Sequence, residues 1–424
     1  MFIIDEIGTP FLEYSGLDGD LTDDERAMQE TARRFAREVM APIGLQLDQM
    51  TPEDVCADGS PLFDYLNQFK SLGMGVETLA TMEPEQISRL LPLLYEELGA
   101  GDAGMALLPM VIAFPSFAAH QTGDAELIER FSGKRGCWLG TTPDHGSDAV
   151  DFDGREMVAQ SKQSRSNLIA HVTDDEIVLH GQSSAWVSGA PIAECALAYV
   201  QTDYGDGIER PNGTGRGGVI LIPFDEKGVS KGKPLHKMGQ RPLPQGEIFF
   251  DEVRLPRKYL LADDSGYNQS FFGALTWANM EMACAFTGLT KAAFEHALAY
   301  VHERRQGGAR LIEHQSVRLR LYEIWDLLET NRAVTRRICR YNFLAPKPHI
   351  LASITGKVRV TENAFEAASK ALQLFGGNGL TEEYPMEKLF RDARAALIED
   401  GENVMLSLVA AGHLSNWYKE RNQL

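Results

Sequence analysis

The sequence predicts an α+β protein built in three parts. Apolar residues recur at helical spacing before about residue 136, short strand-like runs follow, and helical spacing returns from about residue 267. Helices and strands are therefore segregated along the chain, which argues for distinct domains and against a dinucleotide-binding βαβ fold. The expected domains are 1–135 (helical), 136–257 (β-domain) and 258–424 (helical).

The N-terminal part predicts a helix that begins after Thr22. Thr22 followed by Glu25 is a capping-box pattern, and apolar residues at helical spacing continue until Pro42 and Gly44, which predict the end of this helix. A buried apolar run is expected near 105–120. Further helices are expected over 62–72 and 85–98.

The middle part predicts a small β-domain, because its apolar runs are short and are separated by Gly, Pro, Asn and Asp. The Gly-rich stretch 205–217 is an expected exposed loop within it. The strand-like runs are 137–140, 176–179, 196–200, 219–222 and 247–250.

The C-terminal part predicts long helices, one of which ends at a glycine-rich turn. Its apolar face runs from Ile354 to Leu372, just before Gly376. Arg332, Arg336 and Arg340 recur every four residues, a pattern interpreted as a solvated helix face, with a contact to a subunit or to a ligand as the alternative.

Composition excludes several classes of function. The formal charge of −19 argues against broad nucleic-acid binding, because a phosphate backbone repels such a surface. The five cysteines form no CxxC pair, so neither a disulfide framework nor a zinc cluster is expected, and a reducing cytoplasm fits best. The N-terminus has no evident signal peptide, and no apolar run is judged long enough for a membrane span.

Two polar segments of the β-domain suit a flat cofactor. The run Thr141–Asp148, with sequence TTPDHGSD, follows a predicted strand and is either an ordinary turn or a loop whose hydroxyl and N–H groups bind a ring edge. The run Trp186–Gly189, with sequence WVSG, pairs an indole with a hydroxyl. A lone Trp is more often part of a core, so neither segment decides the function alone.

Three segments of the C-terminal part suit phosphate binding and proton transfer. Arg304 lies in ERRQGGARLIEHQ, the run that starts at Glu303, and an arginine fork suits bidentate phosphate contacts. The run Gln373–Gly379, with sequence QLFGGNG, allows close approach of backbone to a ligand, although a helix C-cap alone would explain it. Beyond it, Glu399–Asp400–Gly401 follows an apolar run that favours a buried carboxylate.

In order and spacing, these segments closely resemble the motifs of the acyl-CoA dehydrogenase flavoproteins, across roughly residues 20–420. The family's patterns are T-E-P-x-x-G-S-D, W-[IV]-[TS]-[NG] and E-R-x-x-F-G-x-x-[IL]-x-x-[HFY]-Q, followed by a glycine-rich turn and an acidic residue before a glycine. The chain departs from them at Thr142 (usually Glu), Gly307 (usually Phe) and Asp400 (usually Glu). The resemblance implies an acyl-CoA dehydrogenase-like fold whose C-terminal domain is a four-helix bundle.

The resemblance also implies FAD as cofactor and assigns its contacts. Thr141 would bind the flavin ring, Ser147 would lie near the pyrophosphate or the substrate, and Trp186 and Ser188 would flank the ring, with Ser188 near N5. The remaining contacts would reach FAD across a subunit interface and come from Arg304, Gln315, Gln373, Gly376 and Gly377.

The resemblance places the catalytic base at Asp400, in register with the family's glutamate. Its neighbours Glu399 and Glu402 remain alternatives, because aspartate is one methylene shorter. Some relatives carry the base on a helix of the C-terminal domain instead. That position falls on Ala278 here, and Glu281 is about one helical turn out of register with it.

The implied activity is α,β-dehydrogenation of an acyl-CoA, in which a carboxylate takes the Cα proton and flavin N5 takes the Cβ hydride. A cyclic or branched acyl group is suggested, because aspartate bases occur among relatives that act on cyclic substrates. Electron-transfer flavoprotein is the expected electron acceptor, and a homotetramer, or at least a dimer, is the expected assembly. The alternatives are a flavin monooxygenase of the same fold and a non-catalytic flavin-binding scaffold.

Overall fold

Helices occupy both ends of the chain and a β-sheet lies between them. The structure, a computed structural model, describes residues 16–18, 20–79, 81–151 and 165–423. The helices are α1 (Asp23–Phe35), α2 (Ala41–Asp48), α3 (Pro52–Cys56), α4 (Pro61–Leu72), α5 (Val76–Leu79), α6 (Pro84–Gly101), α7 (Ala103–Thr122), α8 (Ala125–Phe131), α9 (Asp264–Glu303), α10 (Gln315–Leu344), α11 (Ile350–Phe375), α12 (Met386–Ala395) and α13 (Asn403–Asn422).

The strands fall mostly between α8 and α9, and the expected α+β fold class is confirmed. They are β1 (Gly136–Leu139), β2 (Leu168–Val172), β3 (Glu176–Gln182), β4 (Val187–Ser188), β5 (Cys195–Asp203), β6 (Arg216–Pro223), β7 (Val229–Lys231), β8 (Gln245–Gly246), β9 (Ile248–Pro256), β10 (Leu260–Ala262), β11 (Arg305–Gln306) and β12 (Ala309–Arg310). Each predicted strand run falls on one of them, whereas β2, β7 and β10 were not predicted.

The main sheet has eight strands, in the order β10-β6-β5-β2-β3-β9-β7, with β1 paired beside β5. Both β1 and β2 run parallel to β5, which is antiparallel to β6. Strands β4 and β8 form a separate two-stranded pair next to this sheet. One apolar core lies over the main sheet, and another lies among the N-terminal helices and α9.

The first helix begins as predicted but does not end at Pro42. Thr22 and Glu25 form both hydrogen bonds of the capping box. The expected stop is wrong because the chain passes through a π-helical turn, Ala36–Met40, directly into α2. Pro42 then lies in the first turn of α2, where a missing backbone N–H is tolerated.

Long helices make up the C-terminal part, where α9, α10 and α11 pack on one another and α13 packs on α11. Helix α6 of the N-terminal part lies against α9 and α10. Close approach of α6 and α9 requires glycine, since a Cβ on Gly99 would lie 2.0 Å from the carbonyl oxygen of Ala285. A Cβ on Gly288 would likewise lie 2.2 Å from the carbonyl oxygen of Glu96.

The predicted solvated arginine face on α10 is wrong for its first two members. Arg332 is buried and donates to Glu96 of α6 at 2.6 Å, and Arg336 reaches the same carboxylate at 3.2 Å. Only Arg340 is largely exposed, and it pairs with Glu85 at 3.0 Å. These ion pairs join α10 to α6.

One helix in the described part of the chain, α7, is long and apolar enough to cross a membrane by length and composition alone, with a mean hydropathy of 1.5. The expectation that no run reaches that length is therefore wrong. More than half of this window is buried within the protein, as in the core helix of a globular domain.

Candidate active site

A cavity of about 500 Å³ lies where the β-domain meets the helices. The β-domain contributes the loop from Gly140 to Val150, the β4 segment and Gln245 of β8. The helices contribute apolar side chains of α7 and α9 and the loop before α13. The helical part of the lining consists of Leu107, Val111, Phe114, Phe271, Leu275, Ala278, Glu281, Met282, Ile398, Glu399, Asp400 and Gly401.

The loop after β1 brings hydroxyl groups to this cavity. Thr141 Oγ1 lies 2.6 Å from Ser184 Oγ, and the Ser147 hydroxyl accepts a hydrogen bond from the Glu402 N–H at 3.2 Å. Ser147 therefore ties the β-domain loop to the start of α13. Thr142 Oγ1 and Trp138 Nε1 are buried without a hydrogen-bond partner in the described chain, and both residues border the cavity. A ligand with polar atoms on a ring edge would satisfy such groups.

Ser188 is oriented by a buried chain of polar groups. Its hydroxyl accepts a hydrogen bond from Gln245 Nε2 at 3.1 Å, while Gln245 Oε1 accepts one from Lys237 Nζ at 2.9 Å. Because the ammonium can only donate, it fixes which way the Gln245 amide faces. The Ser188 proton then remains available to the cavity. Trp186 borders the same cavity with 64% of its surface exposed.

Asp400 lines the cavity from a constrained loop. Its backbone is left-handed, with φ of 49°, and Gly401 follows with φ of 97°. Asn279 donates to the Asp400 carbonyl at 2.9 Å, and Lys357 donates to the Gly401 carbonyl at 2.7 Å. Burial raises the pKa of the Asp400 carboxyl above its usual value, and the nearby Lys357 opposes that rise.

The two neighbouring glutamates have different surroundings. Glu399 also lines the cavity, but its carboxylate accepts a hydrogen bond from Gln240 Nε2 at 2.7 Å. Burial raises the pKa of Glu399 to about 7, against the opposing effect of Lys237. The Glu402 carboxylate instead caps α13 by accepting from the Met405 N–H at 3.0 Å, and Glu402 is not part of the lining. The geometry therefore disfavours Glu402 as a base.

Glu281 is a cavity carboxyl that the sequence pattern did not select. It lies on α9 with 4% of its surface exposed, and its Oε1 has no hydrogen-bond partner. Burial raises the pKa of Glu281 well above its usual range, and the nearby Asp400 adds to the rise. The sequence did contain one signal for this residue: Glu281 is an acidic residue within a helix stretch of mostly apolar and small residues.

Five of the expected cofactor contacts lie outside the cavity, on the surface: Arg304, Gln315, Gln373, Gly376 and Gly377. The ends of α9 and α11 are held together beneath this surface, since Tyr300 stacks on Phe375 at 3.9 Å and Asn378 donates to Tyr300 Oη at 2.9 Å. Gly376 has φ of 60°, which favours glycine. Apart from its own turn, no atom of the described residues lies within 4 Å of a Cβ built on Gly377, so its small size leaves room for a group from outside.

A profile of the acyl-CoA dehydrogenase C-terminal domain matches residues 267–414. The chain is 27% identical to rat (Rattus norvegicus) short/branched chain specific acyl-CoA dehydrogenase, covering 92% of this chain and 85% of the relative. It is also 27% identical to benzylmalonyl-CoA dehydrogenase of Aromatoleum aromaticum, covering 94% of this chain and all of the relative. The chain is thus similar to acyl-CoA dehydrogenases, through its C-terminal part in the profile and over nearly its whole length in these relatives.

Solved structures of acyl-CoA dehydrogenases share the fold over nearly the whole chain. Glutaryl-CoA dehydrogenase from Mycobacterium smegmatis matches with a TM-score of 0.78 at 22% identity, covering 95% of this chain and 97% of that one. Butyryl-CoA dehydrogenase from Megasphaera elsdenii matches with a TM-score of 0.77 at 23% identity, covering 94% of this chain and all of that one. These structures show the fold, while the profile and the relatives together indicate an oxidoreductase of the acyl-CoA dehydrogenase type with FAD as its cofactor.

Proposed function

We propose that this acyl-CoA dehydrogenase introduces a Cα–Cβ double bond into an acyl-CoA thioester, with Asp400 as the base that takes the Cα proton. The observation that carries the proposal is the shared cavity. Thr141, Ser147 and Ser188 border it from the β-domain, and Asp400 borders it from the helical part. When bound, FAD supplies the two-electron acceptor, which takes the Cβ hydrogen with its electron pair at N5.

Asp400 is the best placed of the three candidate carboxylates. Glu399 is held by Gln240, and Glu402 is occupied as a helix cap. Burial raises the pKa of Asp400, which strengthens it as a base toward a weakly acidic C–H. The bonds from Asn279 and Lys357 to its loop keep the carboxylate from drifting, and a misplacement of about 1 Å can cost on the order of a hundredfold in rate.

The β-domain residues would hold the ring of the cofactor. The Ser188 hydroxyl, which accepts from Gln245, retains a proton to donate toward N5. The unpaired Thr142 hydroxyl adds a further donor or acceptor at the same edge of the cavity. The apolar side chains of α7 and α9 exclude water from the acyl group, and this strengthens electrostatic interactions between the carboxylate and the substrate.

The surface residues at the ends of α9 and α11 would bind the phosphates and adenosine of the FAD held by a neighbouring subunit. The exposure of Arg304, Gln373 and Gly377 outside the cavity lining supports this arrangement. It requires at least a dimer, and we propose a homotetramer. We further propose a cytoplasmic location, electron-transfer flavoprotein as acceptor, and a cyclic or branched acyl group. The three-domain division at 136 and 258 is part of the same proposal.

Purified protein tests the proposal. The preparation should be yellow, and the colour should bleach when an acyl-CoA substrate is added without oxygen. A panel of straight, branched and cyclic acyl thioesters, presented on CoA and on a carrier protein, identifies the substrate by the rate of bleaching. Colour that no thioester bleaches would point to a flavin-binding scaffold, and NADH-linked oxygen uptake with an added reductase would point to a monooxygenase. Either result contradicts the proposed reaction.

A further inference from the structure

The cavity contains a carboxyl group for which the proposed reaction has no task. Glu281 projects from α9 among apolar neighbours, with Leu275, Ala278 and Met282 of the same helix in the lining. Only 4% of its surface is exposed, and Oε1 has no partner in the described chain. A buried polar atom without a partner is rare in folded proteins, and at a cavity wall it indicates a missing ligand group.

The surroundings of Glu281 favour its uncharged form. Burial raises the pKa of Glu281 well above its usual range, and the nearby carboxylate of Asp400 adds to the rise because it repels a second negative charge. Among the described residues that line the cavity, none is Lys or Arg. A neutral carboxylic acid has an O–H group, so Glu281 can donate a hydrogen bond into the cavity.

We propose that Glu281 selects acyl groups that carry an uncharged oxygen atom beyond Cβ, such as a ketone, ether or hydroxyl, and that it donates a hydrogen bond to this oxygen. The proposal rests on the dehydrogenase function argued above and names its substrate class. Apolar side chains around Glu281 would contact the carbon skeleton, and the single donor would recognise the oxygen.

An acyl group that ends in a carboxylate is disfavoured by this cavity. It would lie near the Asp400 carboxylate, in a cavity whose described lining contains no lysine or arginine, and burying an unpaired charge is costly. Lys357 and Lys237 lie outside the described lining, where Lys357 bonds the Gly401 carbonyl and Asn403 and Lys237 bonds Gln245. We therefore expect oxygenated but uncharged acyl groups, in contrast to dicarboxylic ones.

A scan of oxygen positions tests the proposal. Acyl-CoA thioesters of one length are compared in which an oxygen replaces a methylene at each position from C4 onward, together with the all-carbon parent and a dicarboxylic analogue. In the unchanged holoenzyme, at least one oxygen isomer should exceed the parent about tenfold in kcat/KM for flavin reduction, as one neutral hydrogen bond provides. Glu281→Met should remove this preference, and Glu281→Gln, which still donates, should retain it.

Two further measurements control for effects on turnover and on packing. Calorimetric binding of the same thioesters to the Asp400→Asn holoenzyme gives the preference without turnover and should show the same tenfold ratio. Met280→Leu, a volume-conserving change at a buried position of the same helix outside the lining, should leave the ratio intact. Equal rates and affinities for oxygen and carbon chains, or an unchanged ratio in Glu281→Met, would overturn the proposal. Absence of bleaching with every thioester would instead contradict the dehydrogenase function.

Discussion

Asp400 combines a left-handed backbone with a buried carboxyl group. Residues with side chains at φ near 49° are uncommon, and aspartate is among those that tolerate this region best. A glutamate would gain no such local support, which gives a physical reason for the shorter acid at this position. The adjoining Gly401, with φ of 97°, and the bonds from Asn279 and Lys357 fix the loop against α9 and α11.

Glu399 should make the protein's stability depend on pH. Its pKa is raised to about 7 in the folded state, so the native protein keeps a proton that an unfolded chain releases near the ordinary glutamate value. This contribution to stability is present below about pH 4.5 and is lost as the pH rises through about 7. Glu399→Gln, which cannot ionise, should lose less stability between these values.

Thermal unfolding of both proteins at intervals from pH 4.5 to pH 8 measures this effect directly. Other titrating groups are common to the two proteins and cancel in the difference between their unfolding temperatures. As the pH rises, the unfolding temperature of Glu399→Gln should increase relative to that of the unsubstituted protein. Two parallel profiles would show that Glu399 titrates normally in the folded protein.

At the scale of elements, the attachment of α10 to α6 depends on one buried carboxylate. Glu96 is fully buried and binds both Arg332 and Arg336. These arginines hold the pKa of Glu96 at about 2 despite its burial, so its ionised form stabilises the fold above pH 4.5 and that stabilisation is lost as the pH falls toward 2.

Glu96→Gln should therefore lower the free energy of unfolding by about 3–5 kcal/mol, because Arg332 and Arg336 lose a fully buried counter-charge, although Glu329 still pairs with Arg332. The matched control is Glu85→Gln, which breaks the exposed pair with Arg340 and should change the free energy by less than ~1 kcal/mol. Denaturant unfolding measures both. Equal effects of the two substitutions would refute the structural role assigned to Glu96.

For the whole molecule, the central question is how the cavity and the exposed surface around Arg304, which lies outside the cavity lining, could both bind FAD. If the FAD of one subunit reaches the Arg304 surface of another, Arg304→Glu should weaken FAD retention about 10- to 100-fold by loss of charge-assisted hydrogen bonds. The ratio of FAD to protein after gel filtration measures retention. Arg305→Glu, one residue further along and also exposed, should retain FAD, and its equal loss would contradict the arrangement.

The sequence predicted the features that depend on residues close together in the chain. Its predictions were wrong or missing for features that depend on contacts between residues far apart in the chain. The capping box at Thr22 was predicted because both of its bonds lie within four residues. The arginine spacing on α10 gave no sign of Glu96, which lies more than 230 residues earlier in the chain. Glu281 was not selected as a site residue because it is out of register with the alternative base position of the family. Its place at the cavity follows from the packing of α9 against the β-domain, which the sequence pattern does not show.

The most direct test of the account is anaerobic stopped-flow measurement of FAD reduction by an acyl-CoA that bleaches the flavin. Three proteins are compared: the unsubstituted protein, Asp400→Asn and Glu399→Gln. The account predicts that Asp400→Asn keeps its yellow colour and binds the thioester but reduces at least a thousandfold more slowly, on the order expected for loss of a general base. Glu399→Gln should reduce within about tenfold of the unchanged rate. Near-normal reduction by Asp400→Asn, or abolished reduction by Glu399→Gln alone, would contradict the assignment of Asp400 as the base.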